Sequence, residues 1–395
     1  MKGSLVFALL LVDLLIAQAA LAQAPPGDAG LEEIVVTARK RSENAQDVPI
    51  AVTTVSETKL RELGANTMAE LVAHVPNFDW DPVGLNSLSS WGLRGIVDQS
   101  RNAGQESGLG FYVDGVYVGR PASFNAALDD IEQIEVLRGP QGSLYGRNTI
   151  AGAVNITTRK PTNDLQYSAD INVGNYDRRD GSVAISGPLI PGVLTAKLSA
   201  FSQENDGYIR NIADGRSLMN ENRAGGRGAL YWTPTDNLEV QLAADASHED
   251  HRTAFGLAAD PQLAAAVPNW YFPDRFTTNQ NDPDFEKIDA GGGSLTVNYT
   301  LPAGLLLTSI TADRINNFNL DNDDDAGPIT LTHSHFIDKS DMFSQELRLT
   351  SPQGGTLDYV AGLYYMNETV RSNRHTAVVP APAEDVGILD LSEVG

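Results

Sequence analysis

Three groups of residues have the types and spacing to do chemistry. The first is the glycine-punctuated run from Asp129 to Pro161, DDIEQIEVLRGPQGSLYGRNTIAGAVNITTRKP. Gly139, Gly142 and Gly146 could cradle a phosphate, but no Lys followed by Ser or Thr closes the run, and the glycine spacing is not that of a dinucleotide fingerprint. The run reads instead as a strand through Ile131, Ile134 and Val136, a glycine-rich connection opening at Gly139-Pro140, and a second strand over Ala153 to Ile156. The second group is Asp321-Asn322-Asp323-Asp324-Asp325. Its oxygens would suit Ca²⁺, but a solvated loop is the preferred reading. The third is the histidines: His333 and His335 share one strand face, and His248 and His251 flank Glu249-Asp250. They could hold a transition metal, yet free histidines are common in polar loops and no metal site is expected. No Ser-His-Asp or paired-carboxylate constellation stands out, so neither an enzyme nor a cofactor is expected.

The elements that would position these residues fall in three zones of a 395-residue chain, long enough for two or more domains. Formal net charge is -23, from 28 Lys+Arg against 51 Asp+Glu, which argues against nucleic-acid binding. The absence of Cys removes thiolate metal sites and disulfides, and suits an exported protein. Residues 1–22 read as a secretory signal peptide: Lys2, an apolar run from Leu5 to Ala22, and the small-x-small triplet Ala20-Leu21-Ala22 before Gln23. The alternative, a membrane anchor, is opposed by Asp13 and the short core. No later run approaches the ~20 apolar residues of a spanning helix.

Residues 23–47 read as a flexible leader. Within it Ile34-Val35-Val36-Thr37 is β-prone but has no evident partner strand, so it could add itself to the edge of another protein's sheet, or form the first strand of the next domain. Residues 48–160 look like a mixed α/β domain. Ile50 to Val55 is strand-like, and Ser56 caps a helical pattern through Leu60 and Leu63. Thr67 caps a second helix from Met68 to His74, and Trp91 to Ile96 is a short strand. Asp114-Gly115 sits between two apolar runs as a hairpin signal.

From residue 161 strict alternation takes over, as in Leu165/Tyr167/Ala169/Ile171/Val173 and Leu238/Val240/Leu242/Ala244/Ala246. Short turns (187–192, 233–237, 302–304, 351–355) interleave with long polar loops (204–222, 249–286, 320–341, 372 onward). Alternating strands with short turns at one end and long loops at the other are the pattern of a transmembrane β-barrel. A soluble sandwich would alternate too, but need not sort its connections this way. Tyr167, Trp232, Tyr299, Tyr359 and Tyr365 are placed for an interfacial aromatic girdle.

With these pieces in place, nearly all of the chain after the signal peptide resembles the TonB-dependent outer-membrane receptors. EEIVVTA resembles their TonB box; GLRGI, FYVDGVYVGR and IEVLRGPQGSLYGRNTIAGAVNITTRKP resemble the plug motifs; SQELRL resembles a barrel-strand motif. The resemblance implies an N-terminal mixed α/β plug domain followed by antiparallel transmembrane β-barrel strands in a Gram-negative outer membrane. It implies that Glu33, Ile34, Val35, Val36, Thr37 and Ala38 bind TonB of the inner-membrane energy-coupling complex. Gly139, Pro140, Gly142, Tyr145 and Gly146 would form the plug motif, and Arg94 and Arg138 would latch the plug to Glu346 of the wall. The alternative is that Arg94 and Arg138 merely cap strand carbonyls.

About nine strands can be counted where family barrels have about 22, so the barrel is expected to be incomplete and the chain a fragment or truncated product. The box stands about 10 residues past the cleavage site, which leaves no room for an N-terminal signalling domain. The function implied is energy-coupled uptake of a large scarce solute, foremost an iron-siderophore complex. The alternatives are uptake of an oligosaccharide or other organic nutrient by the same machinery, and a passive porin or surface-binding protein.

Overall fold

The computed structural model describes residues 35–81, 89–97, 104, 106–120, 123, 130–254, 274 and 276–378. The expected signal peptide, and Glu33 and Ile34 of the box, lie outside the described residues.

The N-terminal domain is built on a five-stranded sheet. Its strands are β3 (Ala51–Ser56), β7 (Leu109–Val113), β8 (Val116–Val118), β9 (Ile131–Arg138) and β10 (Gly152–Thr158), in the order β3-β9-β10-β7-β8. The pair β10/β7 is parallel and the others are antiparallel. Local chemistry explains its punctuation. The Ser56 hydroxyl accepts from the Lys59 amide to start α1 (Glu57–Leu63), and Gly64 at φ 64° ends it. Thr67 and Glu70 form a capping box at α2 (Met68–Val72). Asp114 and Gly115, at φ 49° and 83°, make the tight turn between β7 and β8. The glycine-rich connection carries one more helical turn, α3 (Gly142–Tyr145). Trp91 to Ile96 is not one strand: β5 (Ser90–Leu93) turns at Arg94-Gly95 into β6 (Ile96–Val97), beside β4 (Phe78–Asp81).

Both faces of the sheet are covered. On one, Val55, Ile134, Val136, Val154, Ile156 and Phe111 pack against Leu60, Met68 and Leu71 of the two helices. On the other, Tyr112, Leu137 and Ala153 pack against Val36, Ala38 and Val48 of the leader. The leader is therefore an ordered layer of this domain from residue 35 onward. This corrects the expectation of a flexible leader without a partner strand: β1 (Val35–Val36) pairs antiparallel with β2 (Glu43–Asn44). The physical reason is that Val36 and Ala38 bury completely against the sheet, which offsets the entropy of ordering the leader.

Among the described residues, nine antiparallel strands follow in strict sequence order. They are β11 (Gln166–Gly174), β12 (Arg178–Ile190), β13 (Leu194–Asn205), β16 (Glu221–Thr235), β17 (Leu238–His251), β19 (Phe285–Thr300), β20 (Leu306–Asp323), β21 (Thr332–Thr350) and β22 (Val360–Val378). Many of their apolar residues face outward, Ile171, Val183, Leu198 and Leu363 being more than half exposed, while Ile288, Ile310, Phe318 and Leu320 are buried. Their polar residues, among them Lys197, Gln203, Arg223, Asn316 and Ser344, are buried facing in. That inversion fits a wall with lipid outside and the N-terminal domain inside.

The long-loop end is more structured than the spacing suggested. Strands β20 and β21 run so far that the loop expected over 320–341 shrinks to 324–331. The segments β14 (Ile209–Asn211), β15 (Ser217–Leu218) and β18 (Thr277–Thr278) form a small sheet there. The acidic cluster is not a solvated loop. Asp323 is fully buried at the end of β20, beside Asp284, because its amide donates to Asp284 Oδ1 at 2.8 Å and its carboxylate accepts from the Ala326 amide.

Candidate functional site

The box is the first candidate site. Thr37 is the residue that fixes it. Its amide donates to Glu135 Oε1 at 2.7 Å, and its hydroxyl accepts from Asn155 Nδ2 at 2.8 Å. Glu135 and Asn155 face each other across β9 and β10, on the face where the leader lies. Gln133 Nε2 also donates to Glu135, at 2.8 Å. Burial pushes the Glu135 carboxyl above its usual range, against the opposing pull of the donors from Thr37, Asn155 and Gln133. Val35 is half exposed while Val36 and Ala38 are closed off.

The chain then turns back on Lys40, at φ 59°, whose amide donates to the Thr37 carbonyl. This turn is fastened to the wall. Lys40 Nζ stands 3.6 Å from Glu346 Oε2 of β21 and over the rings of Tyr145 and Tyr112, at 4.6 and 5.2 Å. Arg41 donates to the Tyr359 carbonyl at 3.0 Å, and the Ser42 carbonyl accepts from Gln353 at 2.7 Å. Burial holds the Lys40 ammonium below its ordinary pKa although Glu346 pulls the other way.

The plug motif supports this arrangement from below. Gly139, at φ 106°, donates to the Ala151 carbonyl, and Gly146 closes α3 at φ 79°. The Tyr145 carbonyl accepts from the Tyr112 hydroxyl at 2.6 Å, which holds the two rings that cage Lys40. Pro140 follows Gly139 in the turn after β9.

The latch expected from Arg94 and Arg138 to Glu346 is not formed. Glu346 is held by Lys40 and Arg348. Arg94 sits in the left-handed turn after β5 with its guanidinium over Gly139, and Arg138 Nε is buried without a hydrogen bond among the described residues. The turn that carries Lys40 brings its ammonium to Glu346 of β21 instead.

Other ion pairs do tie the domain to the wall. Asp114 of the β7/β8 turn meets Arg227 Nη2 of β16 at 2.5 Å, while accepting from the Thr158 amide and hydroxyl at 2.9 and 2.8 Å. Arg120 Nε meets Glu368 of β22 at 2.7 Å, and Lys197 of β13 pairs with Asp130. Sequence reasoning named Asp114 only as a turn residue and missed these ion pairs, as it missed the buried pair Glu135 and Asn155. A signal existed: Glu135 in IEQIEVLR and Asn155 in AVNITT are polar centres of otherwise apolar strands, and a buried polar group needs a partner.

At the long-loop end a cavity of about 470 Å³ lies between the domain and the wall. Thr67, Glu70 and Trp80 line it from one side, Arg178 and Arg223 from the wall, and Tyr176, Tyr208 and Arg252 from the loops. Tyr176, Tyr208 and Phe276 meet in series, the first pair tilted and the second edge to face, with centroids 6.1 and 6.3 Å apart. Arg223 is balanced by Glu221 and Glu249, and Arg178 by Asp180 and Glu221, so the cavity offers aromatic faces and fixed charges of both signs. The four histidines singled out above all pair with carboxylates: His248 with Asp289, His251 with Glu249, and His333 and His335 with Asp321.

The TonB-dependent receptor plug domain family model matches residues 44–153. The pesticin receptor of Yersinia pestis is 28% identical over 297 residues, 74% of this chain and 40% of that protein. The ferrioxamine B receptor of Salmonella typhimurium is 27% identical over 204 residues, 50% of this chain and 27% of the relative. The chain thus spans well under half the length of these relatives. Among solved structures, the ferric yersiniabactin uptake receptor of Yersinia pestis superposes with a TM-score of 0.72 at 23% identity, over 83% of this chain and 50% of that one. The ferripyoverdine receptor of Pseudomonas aeruginosa superposes with a TM-score of 0.67 at 14% identity, over 87% of this chain and 45% of that one. Together with the docked leader, the two-faced sheet and the outward-apolar wall, these matches show a TonB-dependent receptor plug domain over residues 44–153, followed by nine described strands that share the fold of the wall in those solved receptors.

Proposed function

We propose that this chain serves energy-coupled uptake of a large scarce solute across the outer membrane, foremost an iron-siderophore complex. Residues 33–38 are the handle pulled by TonB of the inner-membrane complex. The observation that carries the reading is the position of the box. A short β-prone segment, able to pair by main chain with an added strand, is stored on the plug sheet and joined within four residues to the wall through Lys40 and Glu346. The outer membrane has no nucleotide supply, and the glycine-rich run lacks a phosphate loop, which agrees with energy arriving as force on the leader.

The choice of solute is supported by the relatives, which include a ferrioxamine B receptor and a ferric yersiniabactin uptake receptor. A second reading, uptake of an iron-free organic nutrient, is favoured by the vitamin B12 transporter of Vibrio vulnificus, 27% identical over 187 residues. The cavity beneath the long loops is the candidate solute vestibule.

Deletion of residues 31–38 is the test, scored as growth under iron limitation and as growth on an organic nutrient as sole carbon source. Loss of growth only under iron limitation is the expected result. Unchanged growth in both would point to a passive pore, and loss only on the organic nutrient would favour the second reading.

A further inference from the structure

A carboxylate at the centre of a buried strand needs a reason. Glu135 is fully buried, and β9 is an interior strand flanked by β3 and β10. Its alternate neighbours Ile134 and Val136 belong to the apolar core under the helices. Among the described residues, its hydrogen-bond partners all belong to the N-terminal domain. Its partners are Gln133 and Asn155 of the same sheet face and, at the shortest distance, the amide of Thr37 in the box. An apolar residue would fit this face, where Leu137 and Ala153 already stand, without the cost of burying a charge. Its shortest contact is with a backbone donor that arrives from outside the sheet, and the hydroxyl of the same residue adds a second at 3.2 Å.

We propose that Glu135 is the plug's own receptor for the box and competes with the coupling protein for the same segment. This rests on the reading of residues 33–38 as the coupling handle. A carboxylate oxygen here stands in for the carbonyl that a neighbouring strand would offer the Thr37 amide. Asn155 holds the Thr37 hydroxyl, and the sheet face encloses Val36 and Ala38. While Glu135 holds the amide, the two buried side chains keep any added strand off the box. For strand addition the amide must exchange one acceptor for another, so the strength of the Glu135 contact sets how readily the handle is presented. Glu135 is thus a positioning residue for coupling: it touches the handle, not the solute.

The chain contains no Cys, so one introduced thiol reports on one place. In an Ala38→Cys background, the rate of maleimide labelling measures how often the box leaves the sheet. Glu135→Gln is expected to raise that rate at least about tenfold, the size of effect for losing one charge-assisted hydrogen bond. Thr37→Pro leaves the sheet residues unchanged but removes the amide donor together with the hydroxyl that Asn155 and Glu135 share; it should raise the rate at least as much, with no further rise when Glu135→Gln is added. This second variant guards against a general loss of plug folding in Glu135→Gln. The Glu135→Gln chain should also bind a purified TonB periplasmic domain about tenfold more tightly. Labelling that is unchanged in both variants would overturn the role of Glu135, and faster labelling without tighter binding would overturn the competition. A synthetic peptide of residues 31–38 that fails to bind the same TonB domain would overturn the coupling reading instead, whatever the labelling shows.

Discussion

The ammonium of Lys40 stands 3.6 Å from Glu346 Oε2 and 4.6 Å from the centre of the Tyr145 ring, so a residue two positions past the box is caged between plug and wall. Both side chains are largely buried, so breaking the pair from one side leaves an uncompensated charge. Glu346→Gln is expected to cost about 3 kcal/mol. Lys40→Met keeps the packing of the stem and should cost less, mainly about 1 kcal/mol of cation–π attraction. A double-mutant cycle on chemical denaturation, or on protease sensitivity of the leader, measures the link. A coupling energy near zero would show that the contact carries no load.

Asp114 joins three parts of the molecule: the turn between β7 and β8, the end of β10 through Thr158, and the wall through Arg227. It sits at φ 49°, a conformation Asn accepts as readily. Asp114→Asn should therefore leave the hairpin intact and weaken only the plug–wall contact, by about 2 kcal/mol. The readout is plug dissociation or local hydrogen exchange over 109–118. Loss of the hairpin itself would contradict this division of roles.

Two glycines near the plug motif should respond oppositely to the same change. A methyl group on Gly152 would overlap the Leu137 carbonyl across the sheet and meet the Leu93 side chain, whereas nothing stands near Gly142. Gly152→Ala is expected to cost more than about 3 kcal/mol or to prevent plug folding. Gly142→Ala, in the first turn of α3, should be neutral or slightly stabilising, within about 0.5 kcal/mol. Yields and melting temperatures of the two variants decide the matter; equal behaviour would refute it.

Asp284, just before β19, has its carboxyl pushed up to about 8, chiefly by burial. In the unfolded chain it would titrate near 3.9. The folded state therefore holds a proton that the unfolded state has released. Between about pH 4 and pH 8 this group makes stability fall as pH rises, and above that window its contribution is fully lost. Hydrogen exchange at 281–284 and 321–326 should speed up from pH 5 to pH 9 beyond the intrinsic chemical effect. Asp284→Asn, which keeps a neutral carbonyl acceptor for the Asp323 amide and turns an NH2 toward the Gln280 side-chain amide, should flatten that dependence. A variant as pH-sensitive as the parent would remove Asp284 as the cause.

Much of the architecture can be read locally. The alternation at Leu165 to Val173 and at Leu238 to Ala246 requires strands with one apolar face, because successive residues of a strand point to opposite sides. Ser56 and Thr67 announce helix starts and Asp114-Gly115 a tight hairpin, each through contacts within a few residues. The strand ends were harder to place. Hydrogen bonds carried β20 and β21 past the apolar part of the wall, through Asp321 and His333, where composition alone suggests a loop.

By itself, the sequence determined the order of the parts, the strand count of the wall, the outward apolar face and the presence of a β-prone box followed by cations. These follow from periodicity and from residue types acting on near neighbours. Only the tertiary structure decided which charges meet. Glu346 was expected to meet Arg94 and Arg138, yet it is the Lys40 turn that reaches it. Thr37 and Glu135 are 98 positions apart, and nothing in their local pattern links them. An ion pair or a buried hydrogen bond forms between groups brought together by packing, and desolvation makes the choice among candidates depend on an ångström or two that spacing along the chain does not encode.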